Sequence, residues 1–477
     1  MTVLWTLSDM AAAMCAEKSG PLPEGVSGIS IDSRSLARGE AFFAIQGDAR
    51  DGHDFVDNAL KAGAGLAVVA RGQRARFAAD APLLVVEDVL EALRDLGRAA
   101  RARSDARIVA VTGSVGKTST KEALKLALSA DGETHASAAS YNNHWGVPLS
   151  LARLPKAAKY AVFEIGMNHA GEITPLTQMV RPHVAIVTAI APVHLEFFGT
   201  LKKIAEAKAE IFLGVEPGGA AVINRDIRQF AQLAAAAKAA GVARIVSFGE
   251  HGSADARLAR CALQPESSTV EADILGQAVT YKLGAPGRHL VINSLGVLAA
   301  AALTGADLAL AALALAQLAP AAGRGTRIAL GVAGGEALLI DESYNANPAS
   351  MRAAIALLGQ AAVGPRGRRI AVLGDMLELG TQGRELHRGL AAAIDEAAVD
   401  LVYCSGPLMR ALWEALPSAR RGGYAETAAA LQPAVIEAVR AGDAVMVKGS
   451  LGSKMGPIVK ALRRRFPTQG ALAEVKG

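Results

Sequence analysis

An apolar run, Ile108-Val109-Ala110-Val111-Thr112, passes directly into Gly113-Ser114-Val115-Gly116-Lys117-Thr118-Ser119 and then into a helix-compatible stretch. No other feature narrows the possible folds as much. A strand, a glycine turn and a helix start in that order present a nest of backbone amides, and the helix dipole adds a partial positive charge. Lys117 would bring a full charge to the β and γ oxygens of a phosphate chain, and the Thr118 hydroxyl is a suitable Mg²⁺ ligand. The fit to the usual phosphate loop is imperfect, because the position five before Gly116 holds Val111 rather than glycine. An ordinary glycine-rich β–α turn is the alternative reading, but it gives no reason for Gly-Lys-Thr at this place.

Strands and helices alternate on both sides of the loop. Before it, β-like runs fall at 41–45, 66–70 and 83–86, and an Arg/Ala-rich amphipathic helix is expected over 89–103. After it, strands are expected at 160–165, 184–190, 220–223 and 245–248, and a third series at 337–340, 370–373, 401–404 and 444–447. Strands separated by helices argue for parallel, doubly wound sheets. A chain of 477 residues divides naturally into about three such units. The boundaries are expected to give 1–105, 106–322 and 323–477, the last beginning after Pro320-Ala321-Ala322.

Composition excludes several classes. Hydrophobic residues at 51% and charged ones at 20% supply enough apolar surface for packed cores, so the chain is not disordered. The net charge of +5 is spread thinly, and no third of the chain is basic enough for a nucleic-acid footprint. The one dense basic cluster, Arg463-Arg464-Arg465, reads as a solvated helix end. Three distant cysteines, Cys15, Cys261 and Cys404, make neither a disulfide framework nor a C-x-x-C site, which fits a reducing cytoplasm. The first residues carry Asp9 and no early basic cluster, so no signal peptide is expected. The run 297–319 is broken by Gly305, Asp307 and Gln317 and reads as a buried helix pair rather than a membrane span.

A phosphate loop says only that a nucleoside triphosphate binds. Downstream, Glu164 ends an expected strand, where a carboxylate projects into the ligand crevice of a parallel sheet. Read alone it is also a plausible surface acid. His194 lies just beyond another strand, and Lys208 on a helix, where a solvated lysine is the default. His289 and Asn293 are four apart and share a helix face. Asp341-Glu342-Ser343-Tyr344-Asn345-Ala346-Asn347-Pro348 is a strand running into a polar turn, better suited to a ligand than to a plain turn.

Taken in order, TGSVGKTSTKE, YNNHWGVPL, FEIGMNHAGEI, PVHLEFFG with AKAEIF, GRHLVINSL, GRGTR, DESYNANPAS, AVLGDMLELG and VKGSLGSK resemble the Mur ligases over essentially the whole chain. DESYNANP and the early Asp32-Ser33-Arg34 pattern are most like the branch that joins D-Ala-D-Ala to a UDP-muramoyl tripeptide. The resemblance implies an N-terminal uridine-nucleotide domain, a central ATPase domain with a mainly parallel sheet, and a C-terminal Rossmann-like domain for the amine. It implies ATP and two Mg²⁺, with Gly113 to Ser119 around the phosphates. Lys117 would act on the transferring phosphate, with Thr118 and Glu164 on the first metal and His194 on the second. Lys208 would be N-carboxylated, His289 and Asn293 would border adenine, Arg324 the phosphates, and Asp341 the ribose or metal. Asp32, Ser33 and Arg34 would hold the uridine nucleotide, with Asn142 and Asn143 also on substrate. For the dipeptide, the strand-end loops Ser343 to Asn347, Asp375 to Glu378 and Lys448 to Lys454 are expected to converge, with Asn345 and Asn347 ahead of Lys448 and Lys454, either of which could equally be a solvated loop lysine. Val115 departs from the resemblance, since relatives usually carry a polar residue there, often Asn. A cytoplasmic monomer is expected, with no nucleic-acid partner and no stable membrane insertion. The third peptide residue is left open between meso-diaminopimelate and L-lysine.

Overall fold

The computed structural model describes residues 2–47 and 50–468. Its centre is a nine-stranded sheet in the order Thr134–Ala136, Tyr160–Glu164, Arg107–Thr112, Val184–Val187, Ala220–Asn224, Arg244–Gly249, Ala256–Leu263, Ser268–Ile274, Gln277–Leu283. The first seven are parallel to their neighbours, and the last two join antiparallel. Strand Arg107–Thr112 carries neighbours from both directions of winding, so the order reverses beside it. A doubly wound sheet opens a crevice at such a point, at the carboxyl ends of its strands. The glycine loop lies there.

The parallel strands are apolar without alternation because both faces are covered. Ile108 and Ala110 face one core, Val109 and Val111 the other. The expected helix pair is present as Arg288–Leu303 and Leu308–Ala314. The sequence reading missed the hairpin strands at the far edge. Their residues alternate between buried and exposed, and their charged positions hid them among the loops.

The first unit is a five-stranded sheet in the order Glu17–Ser19, Leu83–Val86, Leu66–Ala70, Ala41–Phe43, Ile29–Ser30. Helix Val89–Ala102 ties it to the centre. Asp88 caps its first turn by accepting from the Glu91 amide at 2.8 Å. Leu93 and Leu96 are fully buried in a core shared with Val147, Leu149 and Leu151 of the central unit. Each such side chain contributes about 1.5–3 kcal/mol. Gly97 lets the helices approach, since a Cβ there would lie 3.2 Å from the Pro148 carbonyl oxygen. The Trp5 indole donates to the Ala152 carbonyl at 2.8 Å across the same junction.

The third unit is a six-stranded sheet in the order Thr326–Val332, Gly335–Glu342, Ala444–Lys448, Arg369–Gly374, Leu401–Ser405, Arg421–Ala425. Only the first pair is antiparallel. Successive residues of its strands again enter opposite cores, Ile340 and Met446 on one side, Leu339 and Val445 on the other. Arg463 to Arg465 occupy the last turn of helix Gly456–Arg465. Among the described residues no helix is long and apolar enough to cross a membrane.

Candidate active site between the central and third units

The glycine loop connects strand Arg107–Thr112 to helix Lys117–Ser129. Gly116 precedes the helix at φ +85°, a left-handed conformation that glycine adopts without a steric cost. Gly113 allows close approach of another strand end, because a Cβ there would sit 2.0 Å from Thr188 Oγ1. The Thr188 hydroxyl donates to the Val115 carbonyl at 2.6 Å, and the Ser114 amide donates to the Ala189 carbonyl at 2.7 Å. The loop is therefore shaped by backbone contacts, and the Val115 side chain is not needed to hold it. Ser114 Oγ is buried and has no partner, an orphan donor that a phosphate oxygen would satisfy.

Lys117 Nζ donates to the Gly113 carbonyl at 2.8 Å, which folds the side chain back over the loop. Enclosure holds this ammonium below the ordinary lysine range; the Glu164 charge opposes that shift and Arg324 adds to it. Thr118 Oγ1 donates to Glu164 Oε2 at 2.8 Å, and Asn142 Nδ2 donates to Glu164 Oε1 at 2.7 Å. The resulting hydroxyl–carboxylate pair offers hard oxygen donors of the type Mg²⁺ takes. Among the described residues no group of three His, Cys, Asp or Glu side chains forms a metal cage. A nucleotide-bound Mg²⁺ does not require one, since phosphates and waters complete its shell.

His194 lines the same cavity, and its Nδ1 donates to Glu378 Oε2 of the third unit at 2.5 Å. Its pKa is lowered chiefly by burial, with Glu378 opposing and the Lys208 and Lys117 charges assisting. Lys208, on helix Leu201–Ala209, is only 2% exposed, and no carboxylate among the described residues stands close enough to favour its charge. Burial, with the Lys117 charge behind it, pushes its pKa well below the ordinary value. Taking an unpaired ammonium out of water is costly, so the neutral amine is favoured.

The opposite wall comes from the third unit. One cavity of about 880 Å³ is lined by Ser114 to Ser119, Asn142, Asn143, Glu164, His194, His289, Asn293, Arg324, Asn345 and Asn347. The Arg324 guanidinium stacks on Tyr344 at 4.4 Å and reaches Ser140 Oγ at 3.4 Å, across the junction. Asn347 Oδ1 accepts from the Ser350 amide at 2.9 Å, capping helix Pro348–Gly359. Lys448 is buried against Glu342 at 3.1 Å and donates to the Asn345 carbonyl at 2.9 Å, while Lys454 is exposed. The loop that carries Asn345 and Asn347 is tied to the other two strand-end loops, 375–378 and 448–454, but of these only Lys448 lines the cavity. The Ser450 amide donates to Asp375 O at 3.1 Å, and its hydroxyl donates to Ala346 O at 3.3 Å.

Other expected residues lie elsewhere. Asp341 is not part of the cavity wall; its carboxylate accepts from the Ser343 amide and hydroxyl at 3.0 and 2.6 Å, while its neighbour Glu342 does face the cavity. Asp32, Ser33 and Arg34 sit apart in the first unit, where Arg34 grips Asp32 through two hydrogen bonds of 2.9 and 2.7 Å. That pair pulls the Asp32 carboxyl down to about 2. Sequence reasoning missed Asn224, Asp226, Glu250 and Arg288, which also line the cavity, with Arg288 paired to Glu250 at 2.7 Å. Asn224 ends a parallel strand, so the strand-end rule that selected Glu164 would have found it. It also missed Lys121, fully buried, which donates to the Ser137 and Ala139 carbonyls at 2.7 Å and fixes the segment carrying Ser140 and Asn142.

Three family descriptions match the chain in order: "Mur ligase family, catalytic domain" over residues 25–101, "Mur ligase middle domain" over 111–301, and "Mur ligase, glutamate ligase domain" over 326–451. The UDP-N-acetylmuramoyl-tripeptide–D-alanyl-D-alanine ligase of Rickettsia prowazekii is 32% identical, across 96% of this chain and 99% of the relative. A crystal structure of MurF from Acinetobacter baumannii superposes with a TM-score of 0.81 at 32% identity, covering 96% of this chain and 99% of that one. MurF ligase from Thermotoga maritima, solved in complex with ADP, gives 0.74 at 27% identity, covering 92% and 98%.

Proposed function

The chain belongs to the Mur ligase family, and from that membership we propose how its site works. The activity is ATP-dependent amide ligation in peptidoglycan precursor synthesis, joining D-Ala-D-Ala to UDP-N-acetylmuramoyl-tripeptide. The reading is carried by a single cavity in which the phosphate loop faces the polar loops of the third unit. A nucleotide and an acceptor amine can meet only where both walls are present.

A carboxylate is a poor electrophile because its leaving group would be oxide. Its oxygen attacks the γ-phosphorus, the bond to the β-bridging oxygen breaks, and ADP departs. The dipeptide nitrogen then attacks the acyl carbon, the carbon–oxygen bond to phosphate breaks, and the nitrogen loses a proton. The first step brings two anions together. Lys117, the loop amides and the Ser114 hydroxyl supply preorganised positive potential at the transferring phosphate. Two Mg²⁺ would be held by Thr118 and Glu164 and by His194 and Lys208, and they would screen the phosphate charges. His289 and Asn293 are assigned to the adenine side, Arg324 to the phosphates, and Asn345 to the dipeptide. Asp32, Ser33 and Arg34 are assigned to the uridine nucleotide. The working form is proposed to be a monomer. The free cysteines and the nucleotide substrates favour a cytoplasmic setting.

Lys208 is proposed to be N-carboxylated. Its lowered pKa leaves a lone pair free to attack CO₂, giving a carbamate and releasing a proton, and the anionic product suits Mg²⁺ where an ammonium would repel it. Lys208→Ala should be inactive and partly rescued by small carboxylic acids; full activity in that variant rules the carbamate out. The substrate assignment is tested by phosphate release with the UDP-tripeptide fixed and the amine varied. Hydrolysis should stay negligible until both substrates are present. Faster turnover with glutamate, free D-alanine or a diamino acid than with D-Ala-D-Ala overturns it.

A further inference from the structure

The closest polar bridge between the two halves of the site joins residues 184 apart in sequence, His194 and Glu378, through Nδ1 and Oε2. Each occupies a left-handed backbone conformation, φ +53° at His194 and +62° at Glu378. Non-glycine residues resist this region, so two of them facing each other mark loops held in place by what surrounds them. The backbone reinforces the contact, since the Glu196 amide donates to the Glu378 carbonyl at 3.3 Å. On the other side, the Leu377 amide donates to Ser450 Oγ at 3.0 Å, and Ser450 bonds in turn to the Asp375 and Ala346 carbonyls. Glu378 thus stands at one end of a hydrogen-bonded set of loops that also carries Asn345 and Asn347. His194 lines the cavity, and Glu378 does not.

We infer that Glu378 is a positioning residue, supplied by the third unit, that fixes the His194 ring and leaves Nε2 as the nitrogen offered to the cavity. A ligating histidine needs its other ring nitrogen held by an acceptor, which sets both tautomer and orientation. Here that acceptor comes from a different unit, so the metal-side constellation is complete only while the third unit is docked. The inference rests on the reading of His194 as a group on the metal and phosphate side.

The test measures Mn²⁺ binding by electron paramagnetic resonance in the presence of a non-hydrolysable ATP analogue, for wild type, Glu378→Ala, Glu378→Gln and His194→Ala. Glu378→Ala should weaken Mn²⁺ binding by about tenfold or more and lower kcat more than it raises KM for ATP. Glu378→Gln keeps an acceptor oxygen and should recover most of both. The unfolding midpoint without ligands should stay near wild type in all three variants, because the Glu378 side chain is 49% exposed and His194 lies in a loop end. If His194→Ala loses Mn²⁺ affinity while Glu378→Ala keeps it, the positioning role is wrong and the reading of His194 stands. If neither variant loses affinity, the reading of His194 falls and takes this inference with it.

Discussion

Lys117 lines the cavity and Lys208 lies outside its wall, within reach of the Lys117 charge; both are pushed towards the neutral amine, but their contacts differ. Lys117 has a backbone acceptor at 2.8 Å and Glu164 nearby to favour its charge. Lys208 has only burial and a like charge acting on it. This contrast explains why one is assigned as a cation and the other as a carbamate. Lys117→Ala should leave the fold intact and lower turnover by about 10²-fold or more at saturating ATP; near-wild-type turnover would remove it from the chemistry. His135 gives a pH prediction that has nothing to do with catalysis. It sits on the edge strand Thr134–Ala136, packs against Phe163, and bonds through Nε2 to the Ser150 carbonyl at 2.8 Å. Burial takes its pKa from 6.5 to about 4. The folded value lies below the unfolded one, so the unfolded chain binds the proton first and stability falls as pH drops from about 6.5 towards 4. The full effect corresponds to about 3 kcal/mol. Denaturant midpoints measured across that range should decline in the wild type and decline less in His135→Gln.

At the scale of single elements, Asn347 shows how one residue can be picked out by the sequence while its structural work stays hidden. A polar, proline-ended turn pointed to the cavity wall, and Asn347 does line it. Its side-chain oxygen, however, caps helix Pro348–Gly359 in a reciprocal box with Ser350. Asn347→Ala should therefore cost about 1 kcal/mol in urea unfolding, and an unchanged midpoint would return the residue wholly to the substrate. Parallel strands such as Arg107–Thr112 were legible because burial on both faces leaves an uninterrupted apolar run. The hairpin Ser268–Ile274 and Gln277–Leu283 was not. Its turn places Leu275 at φ +56° before Gly276, where Asn would have announced a tight hairpin turn. Glu164 and His194 could be singled out as cavity residues because each follows a recognisable strand, whereas Lys208 was singled out only through the family resemblance. Glu378 was reached only as part of a strand-end loop expected on the amine side; its contact with His194 links segments that no local pattern relates.

At the scale of the whole molecule, the cavity draws its walls from residues between Ser114 and Lys448. Ligand binding should then protect both sides together. With a bound ATP analogue, amide exchange should slow in helix Pro348–Gly359 as well as in the phosphate loop; protection confined to the central unit would contradict a shared cavity. The order of strands in the third unit carries a further consequence for how the protein is made. Ala444–Lys448, the last strand among the described residues, is inserted between Gly335–Glu342 and Arg369–Gly374, with parallel partners on both sides. A ribosome that has released everything up to about residue 440 would have delivered two strand groups with open edges and no bridge between them. Such edges are templates for pairing with other chains. During synthesis this unit thus holds strand edges open until Ala444–Lys448 has emerged, and a nonsense mutation shortly before Ala444 should yield inclusion bodies rather than a soluble fragment.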